Sequence, residues 1–307
     1  MTDWMQVESW LKQVDPRQVE ANKILAPLTS YTIGGPARLF VAPVSEENVD
    51  KVLETLTLLE IEPFVLGGGS NVLISDTGWD GVVLHIGQNL SGWEFEGNTA
   101  TVFAGTSLLP FIRAAVNRGL GGMELMAGIP GSVGGALRMN AGAFGQEIEA
   151  SVVKVRGFFP DGAKVALGRA AIEFGYRSAP ELQRVIITSA QFEFSKEDTN
   201  VLTERMDDVL RMRKTKQPLE FPSCGSVFKR PPGYYAGALI EEVGMKGKVH
   251  GRAQVSTKHA GFIVNLGGAT AKQVRELMEL VAAKVKKRFG VELEREVKLI
   301  GFDDVRE

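Results

Sequence analysis

A glycine-rich loop in the first third of the chain has the composition of a phosphate-binding site. Gly67, Gly68 and Gly69 are followed by Ser70 and Asn71, and short apolar runs lie on both sides. Glycine has no Cβ, so the backbone can approach a ligand closely and its N–H groups can converge on an anion. The alternative is a tight glycine turn between two strands. The loop has neither the Gly-Lys-Ser/Thr ending of a P-loop nor the glycine spacing of a dinucleotide fingerprint, so it predicts a different phosphate cradle.

Three other places carry polar residues that could do chemistry. Arg177 could hold a carboxylate through two parallel hydrogen bonds, although a surface arginine is the simpler interpretation. Ser226 or Cys224 could be presented to a ligand by a loop of small residues. No Gly-x-Ser-x-Gly elbow accompanies them, and Cys224 is more typical of a packed thiol. Glu296 could be a desolvated acid that stays protonated at neutral pH, or a solvent-facing glutamate near a strand end.

The composition excludes several classes of protein. The 307 residues carry a formal net charge of −2, so no basic surplus favours nucleic acid. The three histidines are far apart in sequence and give no metal-ligand spacing. Cys224 is the one cysteine, which excludes an internal disulfide and favours a reducing compartment. No signal peptide or membrane-length apolar run is visible, so we expect a cytoplasmic protein without membrane, metal or nucleic-acid partners.

Apolar periodicity and turn residues place these sites between helices and strands. Helices are predicted over 4–14, from Ser45 to about Leu59, and over 108–117, 196–213, 236–244 and 270–289. Strands are predicted over 39–42, 61–66, 72–74, 82–86, 93–96, 99–104, 152–159, 163–167, 185–194, 262–264 and 296–300. The entry segment 16–27 is predicted to be irregular. A second concentration of glycine over 119–145 is predicted to have little regular structure and to lie along an extended ligand.

In their order along the chain, these features resemble the UDP-N-acetylenolpyruvoylglucosamine reductase family, flavoenzymes of bacterial peptidoglycan synthesis. The resemblance is carried by residues 31–35, 66–71, 128–140, 176–177, 225–229, 236–247 and Glu296. It implies an α+β fold, in which a two-subdomain FAD-binding fold of the vanillyl-alcohol-oxidase (PCMH) type precedes a C-terminal α/β substrate-binding domain. The implied boundaries are an N-terminal helical segment at 1–30, a FAD-binding domain at 31–200 that divides near residue 90, and a substrate-binding domain at 201–307.

The resemblance also implies the ligands and their contacts. FAD is expected to be bound without a covalent link, because Ser70 stands where some relatives in the superfamily carry a histidine. The expected FAD-binding residues are Tyr31, Ile33, Gly34, Gly67, Gly68, Gly69, Ser70, Asn71, Val72, Gly128, Ile129, Gly131, Ser132, Gly135, Asn140 and Gly142. The expected contacts to the UDP part of the substrate are Lys214, Lys216, Lys229, Tyr234 and Gln254.

The implied reaction is an NADPH-dependent reduction of the enolpyruvyl group of UDP-N-acetylglucosamine enolpyruvate, which gives UDP-N-acetylmuramate. Hydride reaches C3 of the enolpyruvyl group through the flavin and leaves a carbanion at C2. Arg177 would bind the substrate carboxylate, Glu296 in its acid form would donate to it, and Ser226 would protonate C2. The short segment after Arg177 contains no tyrosine, which matches a subclass without a tyrosine loop. We expect a monomer.

Two other functions remain open at this point. One is a FAD-dependent oxidase of the same fold that acts on a small alcohol or sugar. The other is a nucleotide-binding module without catalytic activity. The coincidence of three polar sites with one glycine loop favours the reductase over both.

Overall fold

The computed structural model describes residues 2–302, which form two packed units with separate hydrophobic cores. The first unit contains residues 2–23, 38–68 and 81–211, and the second contains 24–37, 69–80 and 212–302. Both units are therefore discontinuous in sequence. The domain boundaries implied by the family resemblance, at 30, 90 and 200, are contiguous and stay a prediction.

The helices and strands are numbered in chain order. The α-helices are α1 (Trp4–Val14), α2 (Glu46–Leu58), α3 (Leu108–Val116), α4 (Val133–Arg138), α5 (Pro180–Gln183), α6 (Thr199–Lys216), α7 (Ala236–Glu242) and α8 (Ala271–Phe289). The strands are β1 (Val19–Ile24), β2 (Pro36–Val41), β3 (Phe64–Leu66), β4 (Val72–Ile74), β5 (Trp79–His85), β6 (Trp93–Glu96), β7 (Thr99–Phe103), β8 (Leu120–Gly121), β9 (Gly142–Ala143), β10 (Gln146–Glu147), β11 (Val152–Phe158), β12 (Lys164–Gly168), β13 (Ile186–Glu193), β14 (Ser195–Lys196), β15 (Val249–His250), β16 (Ala253–Val255), β17 (Ile263–Asn265) and β18 (Lys298–Ile300).

Two sheets account for most strands of the first unit. One has the order β1-β2-β5-β3, with β3 parallel to β5, and the other is the antiparallel sheet β12-β11-β13-β7-β6. Helix α2 begins because Ser45 Oγ accepts the N–H of Asn48 at 3.1 Å. Its Val49, Val52 and Leu53 are buried at helical spacing. The glycine loop follows directly after β3, so this sheet holds the start of the loop.

The second unit packs α7 and α8 with the antiparallel sheet β15-β16-β17 and the parallel pair β18-β4. A reciprocal capping box between Thr270 and Gln273 starts α8. Asp76 accepts two further N–H groups of the first turn, from Ala271 at 2.8 Å and Lys272 at 3.1 Å. Helix α8 ends at Gly290, which is left-handed at φ 70°. This well-capped helix provides much of the core that supports the second unit.

The structure corrects three expectations. The helix predicted over 196–213 begins three residues later, because Ser195 and Lys196 pair with β8 and Asp198 accepts the N–H of Asn200 at 2.8 Å. The segment 16–27 contains the strand β1, whose mostly exposed, polar sequence hides the alternation typical of a strand. The last strand begins at Lys298 rather than at Glu296.

The glycine-rich segment 119–145 also holds more regular structure than predicted, since α4 lies within it. Glycine weakens helix propensity, which concealed this helix in the sequence. Tertiary packing requires the glycine here, because a Cβ on Gly134 would lie 2.9 Å from Cβ of Ala104. Between residues 2 and 302, none of the helices has the length and apolar content needed to span a membrane.

Candidate active site

Each of the three consecutive glycines of the loop has a different neighbour that leaves no room for a side chain. A Cβ on Gly67 would lie 2.8 Å from Oγ of Ser132, and one on Gly68 would lie 2.7 Å from Cα of Gly131. Gly69 is left-handed at φ 62°, and its Cβ would lie 2.0 Å from the carbonyl oxygen of Leu28. Main-chain packing therefore requires glycine at Gly68 and Gly69, whereas at Gly67 the close neighbour is the side-chain hydroxyl of Ser132.

In the first unit, Ser132 connects the start of the loop to the second glycine segment. Its buried hydroxyl accepts the N–H of Gly68 at 3.3 Å and the N–H of Gly135, in α4, at 3.4 Å. The N–H of Gly68 is thus donated to the protein rather than offered to an anion. The predicted FAD-binding residues that this unit holds are Gly67, Gly68, Gly128, Ile129, Gly131, Ser132, Gly135, Asn140 and Gly142.

The remaining predicted FAD-binding residues belong to the second unit, where the loop continues into β4. The side-chain amide of Asn71 donates to the carbonyl of Glu296 at 3.0 Å, and the N–H of Lys298 donates to the carbonyl of Asn71 at 3.0 Å. Ser70 and Val72 flank Asn71 and are half-buried. The loop is therefore fixed to the segment that carries a predicted catalytic acid.

Tyr31, Ile33 and Gly34 precede this part of the loop in sequence and lie in the same unit. Tyr31 and Ile33 are buried. The side chain of Asn265, also buried, donates to the carbonyl of Tyr31 at 2.9 Å. Within the described part of the chain, the hydroxyl of Tyr31 has no hydrogen-bond partner. Burial, together with the nearby Cys224, raises the pKa of this phenol well above its usual value.

Cys224 is packed against the loop as a neutral thiol. Its Sγ donates to the carbonyl of Val72 at 3.3 Å, and the side chain is buried. Burial raises the pKa of the thiol to about 12, against a smaller opposing effect of hydrogen bonds to the backbone of Val72 and Tyr31. A thiolate nucleophile is therefore disfavoured, in agreement with the packed-thiol interpretation.

The second unit places Ser226 and Glu296 on neighbouring, hydrogen-bonded segments. The N–H of Glu296 donates to the carbonyl of Val227 at 2.8 Å, and Phe228 forms an antiparallel bridge with Arg295. On its other side, Ser226 bridges to Phe262. The Ser226 side chain is exposed and Glu296 is half-buried. Main-chain pairing therefore helps to fix the spacing of these two predicted catalytic residues.

Arg177, the third predicted catalytic residue, lies in the first unit. It occupies a two-residue turn between Gly175 and Ser178 and is left-handed at φ 54°. Its Nη2 donates to the carbonyl of Gly142 at 3.0 Å. The guanidinium lies over the ring of Tyr176, 5.2 Å from the ring centroid. The side chain is half-buried.

A carboxyl group that the sequence analysis did not single out lies close to Arg177. Burial raises the pKa of Glu147, and the hydrogen bond and charge of Glu149 act in the same direction. The charge of Arg177 and a hydrogen bond from Asn140 act in the opposite direction. Asn265 was missed in the same way. Neither residue stands in a recognisable motif, so no local sequence signal could have identified it.

The five residues predicted to contact the UDP group all lie in the second unit. They differ in their side-chain contacts within the protein and in their exposure. Nζ of Lys229 forms an ion pair with Glu294 at 2.6 Å, and the amide of Gln254 donates to the carbonyl of Gly247 at 3.1 Å. Lys214, Lys216 and Tyr234 are exposed. Within residues 2–302 there is no group of three or more histidine, cysteine, aspartate or glutamate side chains placed to hold a metal ion.

Comparisons with known proteins identify the family of the chain. The model of the C-terminal domain of UDP-N-acetylenolpyruvoylglucosamine reductase matches residues 217–300, and a FAD-binding domain model matches residues 37–168. The reductase of Syntrophomonas wolfei is 41% identical over 93% of this chain and 96% of its own length. That of Listeria monocytogenes is 42% identical over 92% and 96%. The chain belongs to the UDP-N-acetylenolpyruvoylglucosamine reductase family.

Solved structures confirm the fold class predicted for this family member. The crystal structure of the reductase from Thermus caldophilus has a TM-score of 0.81 and 34% identity, and covers 92% of this chain and 99% of that chain. A variant of Phl p 4, a glucose oxidase, has a TM-score of 0.50 and 14% identity, and covers 75% and 53%. At that identity the likeness concerns the fold alone, so it gives no support to the alternative oxidase function.

The glycine packing predicts that Gly68→Ala weakens FAD binding. The added methyl meets main chain of Gly131 at 2.7 Å, and main chain cannot rotate out of the way. We expect FAD affinity to fall at least about tenfold, or ~1.4 kcal/mol, as measured by quenching of flavin fluorescence on titration of the apoprotein. Gly168→Ala is the control, because nothing lies within 4 Å of its Cβ and its φ is −70°. Equal affinity in the two variants would contradict the prediction.

The environment of Cys224 predicts a thiol that resists modification. With a pKa of about 12, only about 10⁻⁴ of the thiol is ionised near pH 8. A free thiol with an ordinary pKa near ~8.5 is ionised to roughly a quarter at the same pH. The native protein should therefore react with a disulfide reagent at least about 100-fold more slowly than the protein unfolded in guanidinium. Comparable rates would contradict the assignment, and the chain's one cysteine makes the signal unambiguous.

Proposed function

We propose that the chain is an NADPH-dependent flavoenzyme that reduces the enolpyruvyl group of UDP-N-acetylglucosamine enolpyruvate in the synthesis of peptidoglycan precursors. The observation that carries the proposal is the pairing of the Ser226 and Glu296 segments, fixed by Asn71 to the glycine loop. It supports roles for Ser226 and Glu296 near the predicted phosphate loop in a member of this family. FAD, when bound, supplies the relay that carries hydride from NADPH to the substrate.

The proposed FAD contacts are the two glycine segments and the segment 31–34. The glycines in these stretches carry no side chain, which suits the close approach of a diphosphate and a flat ring system. Ser70 stands in the loop where a histidine would be needed for a covalent link. The proposal is therefore a FAD held by non-covalent contacts, with the loop ordered before FAD arrives.

The roles of the three polar residues follow from the charge that the reaction develops. Hydride addition at C3 leaves negative charge at C2 that spreads into the substrate carboxylate. The planar guanidinium of Arg177 binds this carboxylate and holds it against rotation. Glu296 in its acid form donates a hydrogen bond to it, because an ionised carboxylate at that place would repel the developing charge. Each oriented donor of this kind lowers the barrier by about 3–4 kcal/mol.

Ser226 completes the reaction by giving its hydroxyl proton to C2. Serine is a weak acid, so the proton moves only because the C2 carbanion is a strong base. The exposed side chain of Ser226 suits this role, since the donor must reach the ligand. Main-chain pairing on both sides of Ser226 holds the loop in place, so the position of the hydroxyl does not change during proton transfer.

The UDP group is assigned to the second unit. Exposed Lys214, Lys216 and Tyr234 are available to a diphosphate and a nucleobase, whereas Lys229 must exchange Glu294 for the ligand. A cytoplasmic location and a monomeric state complete the proposal. The location agrees with a buried, reduced cysteine and with substrates that carry nucleotide groups.

Anaerobic titration tests the proposed function directly. NADPH should bleach the flavin absorbance of the purified protein, and the enolpyruvyl nucleotide should restore it in stoichiometric amount without oxygen. An oxidase would instead reoxidise rapidly with oxygen and ignore the nucleotide. A protein that stays colourless after addition of FAD would contradict any flavoenzyme function.

The proposed proton donor predicts a selective defect in Ser226→Ala. The rate of flavin reduction by NADPH should stay within about threefold of wild type, because no proton is required from Ser226 in that step. The rate of reoxidation by the enolpyruvyl nucleotide should fall by about 10²–10⁴, the usual contribution of a positioned proton donor. Stopped-flow absorbance separates the two rates. Ser223→Ala, in the same loop, is the matched control, and normal reoxidation in Ser226→Ala would refute the assignment.

A further inference from the structure

Asn140 is a fully buried side chain whose polar atoms are all engaged within the first unit. Its exposure is 0%. The amide Nδ2 donates to the carbonyl of Gly175 at 3.0 Å and to Oε2 of Glu147 at 3.1 Å, and Oδ1 accepts the N–H of Glu149 at 3.4 Å. Buried polar groups with complete hydrogen bonding are rigid and hold their partners in one arrangement. This side chain therefore holds protein groups, although the family resemblance predicts a FAD contact there.

One of those partners is the turn that carries Arg177. Gly175 and Ser178 exchange both main-chain hydrogen bonds, at 2.9 and 3.1 Å, so Tyr176 and Arg177 occupy the two central positions. Arg177 is left-handed at φ 54°, a conformation that residues with a Cβ adopt only where their surroundings impose it. The hydrogen bond from Asn140 to Gly175 ties the base of this turn to the core of the unit.

The other partner, Glu147, lies on the strand beside the carbonyl that Arg177 contacts. Glu147 pairs with Gly142 in the β9–β10 hairpin, and Arg177 Nη2 donates to the carbonyl of Gly142 at 3.0 Å. A Cβ on Gly142 would lie 2.5 Å from Cγ of Glu147, so the Glu147 side chain packs directly against the main chain of Gly142. Glu149 forms an ion pair with Arg169 at 2.5 Å, and its Oε1 also accepts a longer hydrogen bond from Asn140 Nδ2 at 3.5 Å. Asn140 thus fixes both the backbone of the arginine turn and the carboxyl group near its charge.

We propose that Asn140 is a positioning residue for Arg177, holding the arginine turn and Glu147 in the one arrangement in which the guanidinium meets a substrate carboxylate. The proposal rests on the proposed function, because it assigns Asn140 to the step in which Arg177 binds the enolpyruvyl carboxylate. According to the proposal, the Asn140 side chain contributes to the binding of neither FAD nor the nucleotide part of the substrate.

The test uses the FAD-loaded enzyme and the variant Asn140→Asp, which keeps the shape of the side chain. The donor Nδ2 becomes an acceptor oxygen, which then faces the carbonyl of Gly175 and the carboxylate of Glu147. Flavin reduction by NADPH and FAD affinity should stay within about threefold of wild type. Reoxidation by the enolpyruvyl nucleotide should slow by about 10–100-fold, since small misplacements of an orienting group cost this much. In oxidised enzyme, the preference for the enolpyruvyl nucleotide over UDP-N-acetylglucosamine, which lacks the carboxylate, should be lost.

A double variant distinguishes positioning from an independent effect. If Asn140 acts through Arg177, then Asn140→Asp should slow the Arg177→Lys enzyme by no more than about threefold, because the group it positions is already gone. Additive losses would overturn the proposal. Weakened FAD binding with normal reoxidation of the FAD-saturated variant would overturn it too, and would restore Asn140 to the cofactor site.

Thr188→Val is the matched control for loss of a buried hydrogen bond in the same unit. Thr188 is buried and donates to Oε1 of Glu46 at 2.6 Å, away from the arginine turn. Thr188→Val should lower the thermal midpoint of unfolding by an amount similar to that of the Asn140 variants, while all rates stay within about threefold of wild type.

If Asn140→Asp does not unfold cooperatively, Asn140→Ser replaces it with the same expectations. Equal slowing of both half-reactions would show a purely structural role and overturn the proposal. Wild-type flavin that the enolpyruvyl nucleotide does not reoxidise would instead contradict the proposed function.

Discussion

The absence of a side chain at three consecutive positions is the constraint on which the rest of this structure depends. The chain leaves the first packed unit at Gly68 and enters the second at Gly69. On the first side the backbone lies against Gly131 and Ser132, and on the second it lies against Leu28. A β-carbon at Gly68 or Gly69 would collide with main chain, and one at Gly67 would displace the hydroxyl of Ser132. The predicted phosphate loop is therefore shaped by contacts within the protein.

The same loop organises the chemistry of the second unit. Asn71 uses its side chain on the carbonyl of Glu296 and its main chain on Lys298, which keeps β4 and β18 in register. Because Glu296 is in turn hydrogen-bonded to Val227, the proton donor proposed at Ser226 and the acid at Glu296 share one rigid support. Groups that must act on a short-lived carbanion benefit from such support, since reorganisation during the reaction would cancel their electrostatic effect.

Sequence patterns predicted the elements whose ends and faces are encoded locally. Ser45 and Thr270 cap helices as expected, and Gly97 lies in the turn of the β6–β7 hairpin. Elements determined by distant partners were not predictable. Strand β1 is polar and mostly exposed, and half of α4 is glycine or alanine, with Gly134 against Ala104. Arg177, Ser226 and Glu296 were predicted through the order of motifs, whereas Glu147 and Asn265 act through contacts that no local pattern encodes.

Two buried asparagines explain how the candidate site keeps backbone conformations that are costly on their own. Among residues 2–302, left-handed residues other than glycine include Thr32, Asn140 and Arg177, each within a segment predicted to bind a ligand. Such a conformation costs on the order of 1 kcal/mol for a residue with a Cβ. Asn265 donates to the carbonyl of Tyr31 and to Oγ1 of Thr32, and Asn140 holds the base of the Arg177 turn. Removing a buried, fully bonded amide costs more than that strain, typically about 1–3 kcal/mol for each orphaned partner. The strained turns therefore persist without a ligand, and a substrate that arrives does not have to create them.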